Sequence, residues 1–394
     1  MSLELINRNP DLKKLKNEGY ALEIKDNYLL VREIPYVNSR CQIEYGILVS
    51  DLTSMAGDKT VGPVSRHVAY FIGDFPCNSD GTPIKGIHSG SQEQQLTNDL
   101  VVNHSFSRRP SNGYVDYYEK MTTYTAIIVS QAQDIDGSVT AKPFKSISSD
   151  NKETVFNYLD TNSSRGKINM ISSKLENQKL AIIGVGGTGA YILDFVAKTP
   201  VQEIHLFDGD ILMNHNAFRS PGAPSAEKLR EINKKTDYFG EIYSNIRKNI
   251  YSHNYYINTS NVNELSEIDF VFLCLDKGGI KKLIIEYLLE NNVPFIDVGM
   301  GVNMVDDYLI GHVRVTTGTT EKQDHIKSRI SFSEVGAPND YSTNIQIAEL
   351  NALNATLAVI KWKKLFGFYQ DLGNEFNTTY SINDGKLFND DYIA

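Results

Sequence analysis

The chain has 394 residues, about two or three domains at roughly 150 residues each, which excludes a mini-scaffold stapled by disulfides. Hydrophobic residues are 41% and charged residues 22% of the sequence, the balance of a folded globular protein and not of a disordered chain. A net charge of -9 argues against binding driven by nucleic acid or an anionic membrane, so an anionic substrate would need a local basic pocket.

From about Gly19 to Pro143 the apolar pattern is short and alternating, in ALEIKDNYLLVREI, CQIEYGILVSDL, RHVAYFIGDF and YTAIIVSQ. Turn clusters such as Asn78-Ser79-Asp80-Gly81 and Arg109-Pro110-Ser111-Asn112-Gly113 separate these runs, and a β-rich or α+β domain over residues 1–147 is expected. His67, His88 and His104 are too scattered to read as a metal cluster. Residues 148–175 are polar with helical spacing and read as a connecting segment.

Beyond it, over 176–394, the pattern changes. Lys179 to Gly184 is an apolar strand running into glycines, Ala190 to Lys198 is helical, and Glu203 to Phe207 is a second strand, which together make a βαβ unit. Strand, helix and strand follow at Asp269 to Leu275, Ile280 to Glu290 and Pro294 to Val298, so an α/β fold with a mainly parallel, helix-covered sheet is expected. A late helix is expected from Asn344 to Phe366, capped by Thr343 and ended by Gly367. Its stripe of Ile347, Leu350, Leu353, Leu357 and Ile360 reads as a core-packing or dimer-facing surface.

Cys41, Cys77 and Cys274 are the chain's three cysteines, with no spacing for zinc or a disulfide framework, which fits a reducing cytoplasm. The first residues lack a basic start followed by an apolar run, and no stretch reaches the ~18 apolar residues of a membrane span. A cytoplasmic protein, neither exported nor embedded, is the expectation.

Gly184-Val185-Gly186-Gly187-Thr188-Gly189 sits at a strand-to-helix turn, where glycines admit a phosphate and a helix N-terminus directs free N–H groups at it. Asp208 closes the next strand, where a carboxylate can accept from ribose hydroxyls. That pair alone suits a dinucleotide dehydrogenase at least as well as an ATP site. The residues that follow shift the balance: Asp210, Asn216, Arg219 and Lys235, then Asp276 at the end of FVFLCLD. Two further cations and a second strand-end aspartate have little use in hydride transfer, whereas a triphosphate needs cations and a carboxylate for magnesium.

The stretch KLAIIGVGGTGAYILDFVAKTPVQEIHLFDGDILMNHNAFRS, the strand ending in Leu275-Asp276, and PFIDVGMGV resemble the ThiF/MoeB/ubiquitin-activating enzyme superfamily, over about Lys174 to Arg314. The resemblance implies a Rossmann-like ThiF-type domain that uses ATP and Mg2+ to adenylate a carboxylate. The expected partner is a ubiquitin-like or sulfur-carrier protein, and the expected assembly a homodimer. It implies that Gly184, Gly186, Gly187, Gly189 and Asp210 help bind ATP, that Asp208 holds the ribose, and that Asn216 and Arg219 contact phosphates. Lys235 would bind the phosphate tail, with Lys228 as its rival, and Asp276 would support magnesium. The resemblance also implies that Arg165 corresponds to the family's arginine that precedes the nucleotide fold and reaches into the partner subunit's site.

No cysteine follows Cys274, so the thioester cysteine of some members is missing, and Cys274 itself reads as a buried strand thiol. A thioester would need Cys41 or Cys77, of which Cys77, beside a turn, is expected to be the more accessible. The zinc-binding pairs of some relatives are absent as well. Adenylation without covalent transfer, or hand-over to a separate conjugating enzyme, is therefore expected. LLVREIPYVN and FSRRPSNGYVDYYEKM resemble the domain preceding ThiF-type folds in bacterial proteins encoded near ubiquitin-like components, and imply a partner-binding or packing role. A nicotinamide-dependent oxidoreductase and a non-catalytic scaffold are the competing classes.

Overall fold

In a computed structural model of the chain, which describes residues 2–145, 154–166, 168–276, 278–332 and 345–392, two compact units separate. The first comprises Met1–Thr154 with Tyr158–Ser173, and the second Val155–Asn157 with Lys174–Ala394. Most of the described part of the expected connector thus belongs to the first unit, including a short helix at Thr161–Gly166.

The alternating runs of the first unit pair as an antiparallel sheet of β1 (Ala21–Lys25), β2 (Tyr28–Val37), β3 (Ile43–Asp51), β4 (Val68–Ile72), β5 (His88–Gly90) and β6 (His104–Ser107), in the order β1-β2-β3-β4-β6-β5. Period-two alternation sends Leu29, Val31 and Leu48 to one core and Tyr28, Leu30 and Val49 to another, so both faces of the sheet are covered. YTAIIVSQ is not a strand. It lies inside helix α1 (Tyr117–Ile135), which buries Tyr117, Met121, Tyr124 and Ile128 at helical spacing. The Asp116 carboxylate caps its N-terminus by accepting from Glu119 N at 2.8 Å, a signal that outweighs the β-propensity of Ile127, Ile128 and Val129.

The second unit is built on an eight-stranded sheet. Its strands are β7 (Lys179–Ile183), β8 (Glu203–Phe207), β9 (Ile250–His253), β10 (Phe270–Leu273), β11 (Phe295–Val305), β12 (Tyr308–Gly318), β13 (Asn377–Ser381) and β14 (Leu387–Asp390). They run in the order β9-β8-β7-β10-β11-β12-β13-β14, parallel from β9 to β11 and antiparallel from there on. Chain order moves outward from β7 in one direction and then resumes from β10 in the other, which opens a crevice at the C-terminal ends of β7 and β10. The inner strands read as continuous apolar runs because both faces are buried: Leu180 and Ile182 join one core, Ala181 and Ile183 the other.

The longer helices of the unit are α2 (Gly187–Val196), α3 (Lys235–Tyr243), α4 (Gly278–Glu290) and α5 (Ala348–Leu365). The expected cap Thr343 and first residue Asn344 lie outside the described residues. The face of α5 differs from expectation: Asn351, Asn354, Ala355, Ala358, Val359 and Trp362 are buried, while Ile360 is exposed and Leu350, Leu353 and Leu357 are half-buried. Alanines let α5 approach α2 closely, and the Trp362 indole N–H donates to Gln178 Oε1 at 3.1 Å. Among the described residues no helix is long and apolar enough to cross a membrane.

Lys120, on α1, is fully buried, and its ammonium donates to Ser50 Oγ at 2.8 Å. Burial pulls its pKa from 10.5 down to about 8, against the attraction of Asp51. The charged form is disfavoured in the fold, so the native state binds fewer protons than the unfolded chain between those values, and stability rises with pH across the window. The difference is worth on the order of 3 kcal/mol. Lys120→Met should flatten the stability profile between about pH 8 and 10.5, read from urea midpoints of both proteins. Parallel profiles would show that the ammonium carries no such penalty.

Candidate active site

The crevice between β7 and β10 holds a cavity of about 500 Å3. Two glycines shape its wall. Gly184 has φ +91°, and a Cβ there would lie 2.4 Å from the Cys274 carbonyl oxygen, so the turn after β7 lies directly against the end of β10. A Cβ on Gly189 would lie 1.9 Å from the Gly184 carbonyl oxygen, so α2 springs from the turn with no space for a side chain. The N-terminus of α2 consequently opens on the cavity and directs its unpaired amides and partial positive charge there.

Asp208, 5% exposed, ties this turn to the end of β8: Oδ2 accepts from Val185 N at 2.9 Å and Oδ1 from Asp210 N at 2.8 Å. Lys235, 6% exposed at the start of α3, sets its ammonium 2.8 Å from Asp210 Oδ2 and 3.8 Å from Asp208 Oδ2. The Tyr256 hydroxyl donates to the other Asp210 oxygen. Arg219 is half-buried, and its Nε has no hydrogen-bond partner among the described residues. Burial holds its pKa below the ordinary arginine value, and the charges of Asp276 and Asp210 oppose that shift. Asp276 is exposed, just past β10.

The structure thus brings Gly184, Gly186, Gly187, Gly189, Asp208, Asp210, Arg219, Lys235 and Asp276 to one cavity wall. Asn216 is not part of it. Its Oδ1 accepts from Met213 N at 2.9 Å to cap the short helix Asn214–Ala217, while Nδ2 is buried without a partner among the described residues. Lys228 is paired with Glu231 and Glu241 at 2.9 and 2.8 Å. Arg165 is exposed in the first unit. Cys274 lies one residue beyond β10 and lines the cavity, with its thiol pushed well up by burial and by Asp297. The expected order of accessibility of the other two is reversed: Cys77 is 2% exposed, because its backbone bridges Val37 and Pro83, while Cys41 is exposed.

Two wall residues escaped the sequence reading because they sit in a helix read for its leucines. Asn351 and Asn354, each 1% exposed, project from α5. Asn351 Oδ1 accepts from Thr188 Oγ1 at 2.8 Å and Nδ2 donates to the Arg219 carbonyl at 3.2 Å, so one side chain joins the glycine turn to the arginine segment. Asn354 Nδ2 donates to the Gly299 carbonyl at 3.0 Å, and its Oδ1 is buried with no partner among the described residues. The available signal was a pair of asparagines three apart in AELNALNATLAVI, a spacing that places both on one helix face. Among the described residues no group of three or more His, Cys, Asp or Glu could hold a metal ion by itself. A Cβ at Gly189 would collide with backbone, so Gly189→Ala should destabilise the protein by about 1–3 kcal/mol, seen as a lower thermal midpoint. An unchanged midpoint would mean that the turn can open.

Comparison with known proteins also divides the chain in two, the second match beginning within the stretch Tyr158–Ser173 of the first unit. Residues 10–161 match a domain of unknown function, DUF6791, and residues 164–360, half of the chain, match the ThiF family. Ubiquitin-like modifier-activating enzyme 5 of Drosophila virilis is 24% identical over 149 residues, 34% of this chain and 37% of that protein. The chain therefore spans well under half the length of that curated relative. Among solved structures, E. coli MccB with ATP aligns with 58% of this chain and 71% of its own at 18% identity and a TM-score of 0.45. PaaA aligns with 57% and 75% at 16% identity and a TM-score of 0.45. With its glycine turn at the sheet's switch point and half its length matched, the chain belongs to the ThiF family.

Proposed function

We propose that the second unit binds ATP in this cavity and transfers its adenylyl group to a carboxylate, the C-terminal glycine of a ubiquitin-like or sulfur-carrier protein. The observation that carries the reading is the convergence of Arg219, Lys235 and Asp276 on the wall that already holds the glycine turn. Hydride transfer requires none of the three. The name of the Drosophila virilis relative, an activating enzyme for a ubiquitin-like modifier, supports the substrate class.

In this reading an α-carboxylate, ionised at neutral pH, attacks the α-phosphorus, and the bond to the bridging oxygen of the β-phosphate breaks. Pyrophosphate leaves with the electron pair. No proton moves, so the chemistry needs no general base, and the protein contributes position and charge. Lys235 exchanges the Asp210 carboxylate for phosphate oxygens, and Arg219 meets the same tail from the opposite segment, held there by Asn351 through its carbonyl. Asp208 spends one lone pair of each oxygen on backbone amides and keeps the others for ribose hydroxyls. An exposed carboxylate beside the cations that would hold phosphate fits magnesium, which takes most of its ligands from phosphates and water, and Asp276 would hold it. That ion would supply charge neutralisation at the triphosphate.

Cys274 cannot readily serve as an acyl acceptor, since its buried thiol is far from ionising. Cys77 is buried as well, so a thioester on this chain would fall to the exposed Cys41, and in this reading the acyl adenylate passes instead to a separate acceptor such as a conjugating enzyme. In a cytoplasmic homodimer, the exposed Arg165 is the group available to a partner subunit. Exchange of labelled pyrophosphate into ATP, measured with the full chain, magnesium and candidate ubiquitin-like proteins, tests the reading. Arg219→Ala and Asp276→Ala should each lower exchange at least ~100-fold with the thermal midpoint preserved. Normal exchange in both variants, or NAD binding in place of ATP binding, would overturn it.

A further inference from the structure

The first unit has a cavity of its own, of about 790 Å3. One wall is the segment entering β4, with Arg66 and His67, and the other is the turn at 108–113, with Arg109 and Ser111, while β6 contributes Ser105. A single buried side chain pins the two walls together. The Tyr124 hydroxyl, from α1, donates to the His67 carbonyl at 2.7 Å and accepts from Arg108 N at 2.8 Å. Tyr114, also buried, adds a second tie: its carbonyl accepts from Val64 N at 2.9 Å and its hydroxyl donates to the Arg108 carbonyl at 2.8 Å. Walls held this way are ordered before any ligand arrives, which lowers the cost of binding.

The charge around the cavity runs against that of the chain. Arg109 makes no ion pair or side-chain hydrogen bond among the described residues. Arg66 stands 3.7 Å from Asp51 and donates to the Arg165 carbonyl at 2.5 Å, which leaves guanidinium N–H groups to spare. Behind the sheet, the buried Lys120 ammonium adds a third cation. His67 registers this field, with its pKa lowered by burial and then by Arg109 and Lys120. In a chain of net charge -9, the two arginines on the cavity wall, with Asp51 as the one carboxylate paired to Arg66, make a local basic pocket.

We propose that this cavity binds a phosphate-bearing small molecule, with Arg109 and Arg66 as charged donors and the Ser105 and Ser111 hydroxyls beside them. A carboxylate is satisfied by one planar guanidinium, whereas a tetrahedral dianion uses donors arriving from several directions and more than one positive charge, which is what two separate walls provide. The inference stands independently of the adenylation reading, because its residues all belong to the first unit.

Inorganic phosphate is the probe, titrated into the full chain at constant ionic strength, with acetate as the carboxylate arm, and followed by phosphorus NMR and thermal shift. Phosphate held in the other cavity would be lost in Lys235→Ala and kept in Arg109→Gln, so the two sites can be told apart. Expected is a phosphate site that persists in Lys235→Ala and weakens at least ~tenfold in Arg109→Gln, whose midpoint in chloride equals that of the unaltered protein. Phosphate binding indifferent to Arg109→Gln, absent in Lys235→Ala, or matched by acetate would overturn the proposal.

Discussion

The carboxylate of Asp208 is the fastener on which the second unit's geometry depends. It is buried at the end of β8 and spends both oxygens on backbone amides, one in the glycine turn after β7 and one in its own strand-end loop. Charge-assisted bonds of this kind are stronger than neutral ones, and a buried carboxylate deprived of them would be costly. Two strand ends are therefore held at one height. Lys235 then completes the arrangement by lying between Asp208 and Asp210, so the position of α3 follows from the same carboxylates. The ribose role read from the sequence and this fastening role are compatible, because each oxygen retains a lone pair.

What was legible in the sequence was whatever strand periodicity and glycine spacing dictate locally. Lys179–Ile183 and Glu203–Phe207 are apolar runs bounded by a glycine turn and an acidic end, and little else can be built from them. Only half of the β11–β12 hairpin is legible: Pro294 to Val298 reads as a buried strand, but Gly299 and Gly301 interrupt the apolar run, and the continuation through Met300, Val302 and Met304 to Val305 does not stand out as strand. Helix α1 was misjudged at YTAIIVSQ because β-branched residues dominate a short window. The helical spacing emerges only when Tyr117, Met121 and the Asp116 cap are counted with it.

The α5 error has a different physical origin. Leucine marks the packed face in the sequence, yet the face turned inward is built largely from asparagine, alanine and tryptophan. Small residues allow close approach to α2, and the buried asparagines are tolerated because Thr188, the Arg219 carbonyl and the Gly299 carbonyl satisfy most of their hydrogen-bonding groups. Polar atoms on a packed face are invisible to a hydrophobicity stripe, and their cost is acceptable where they organise a cavity. Asn216 shows the converse: the family resemblance implies a phosphate contact, and the structure uses the side chain to cap the helix that carries the chain toward Arg219.

The cavity's opposite wall follows from a second buried carboxylate. Asp297 is wholly buried in β11, with the Lys281 ammonium at 2.8 Å and the Arg314 guanidinium at 2.6 Å, so one negative charge faces two positive ones. Buried ion pairs contribute little net stability, because desolvation offsets their attraction. Their effect here is orientation: Arg314 lies across β11 so closely that a Cβ on Gly299 would stand 2.8 Å from its Nη2, and Gly299 is the residue whose carbonyl anchors Asn354. The surplus positive charge is fixed in the framework next to Val298, Gly299 and Met300, which line the cavity. Positive charge therefore borders the cavity on more than one side, part of it on Lys235 and Arg219 and part on Lys281 and Arg314, which the Asp297 carboxylate holds in place.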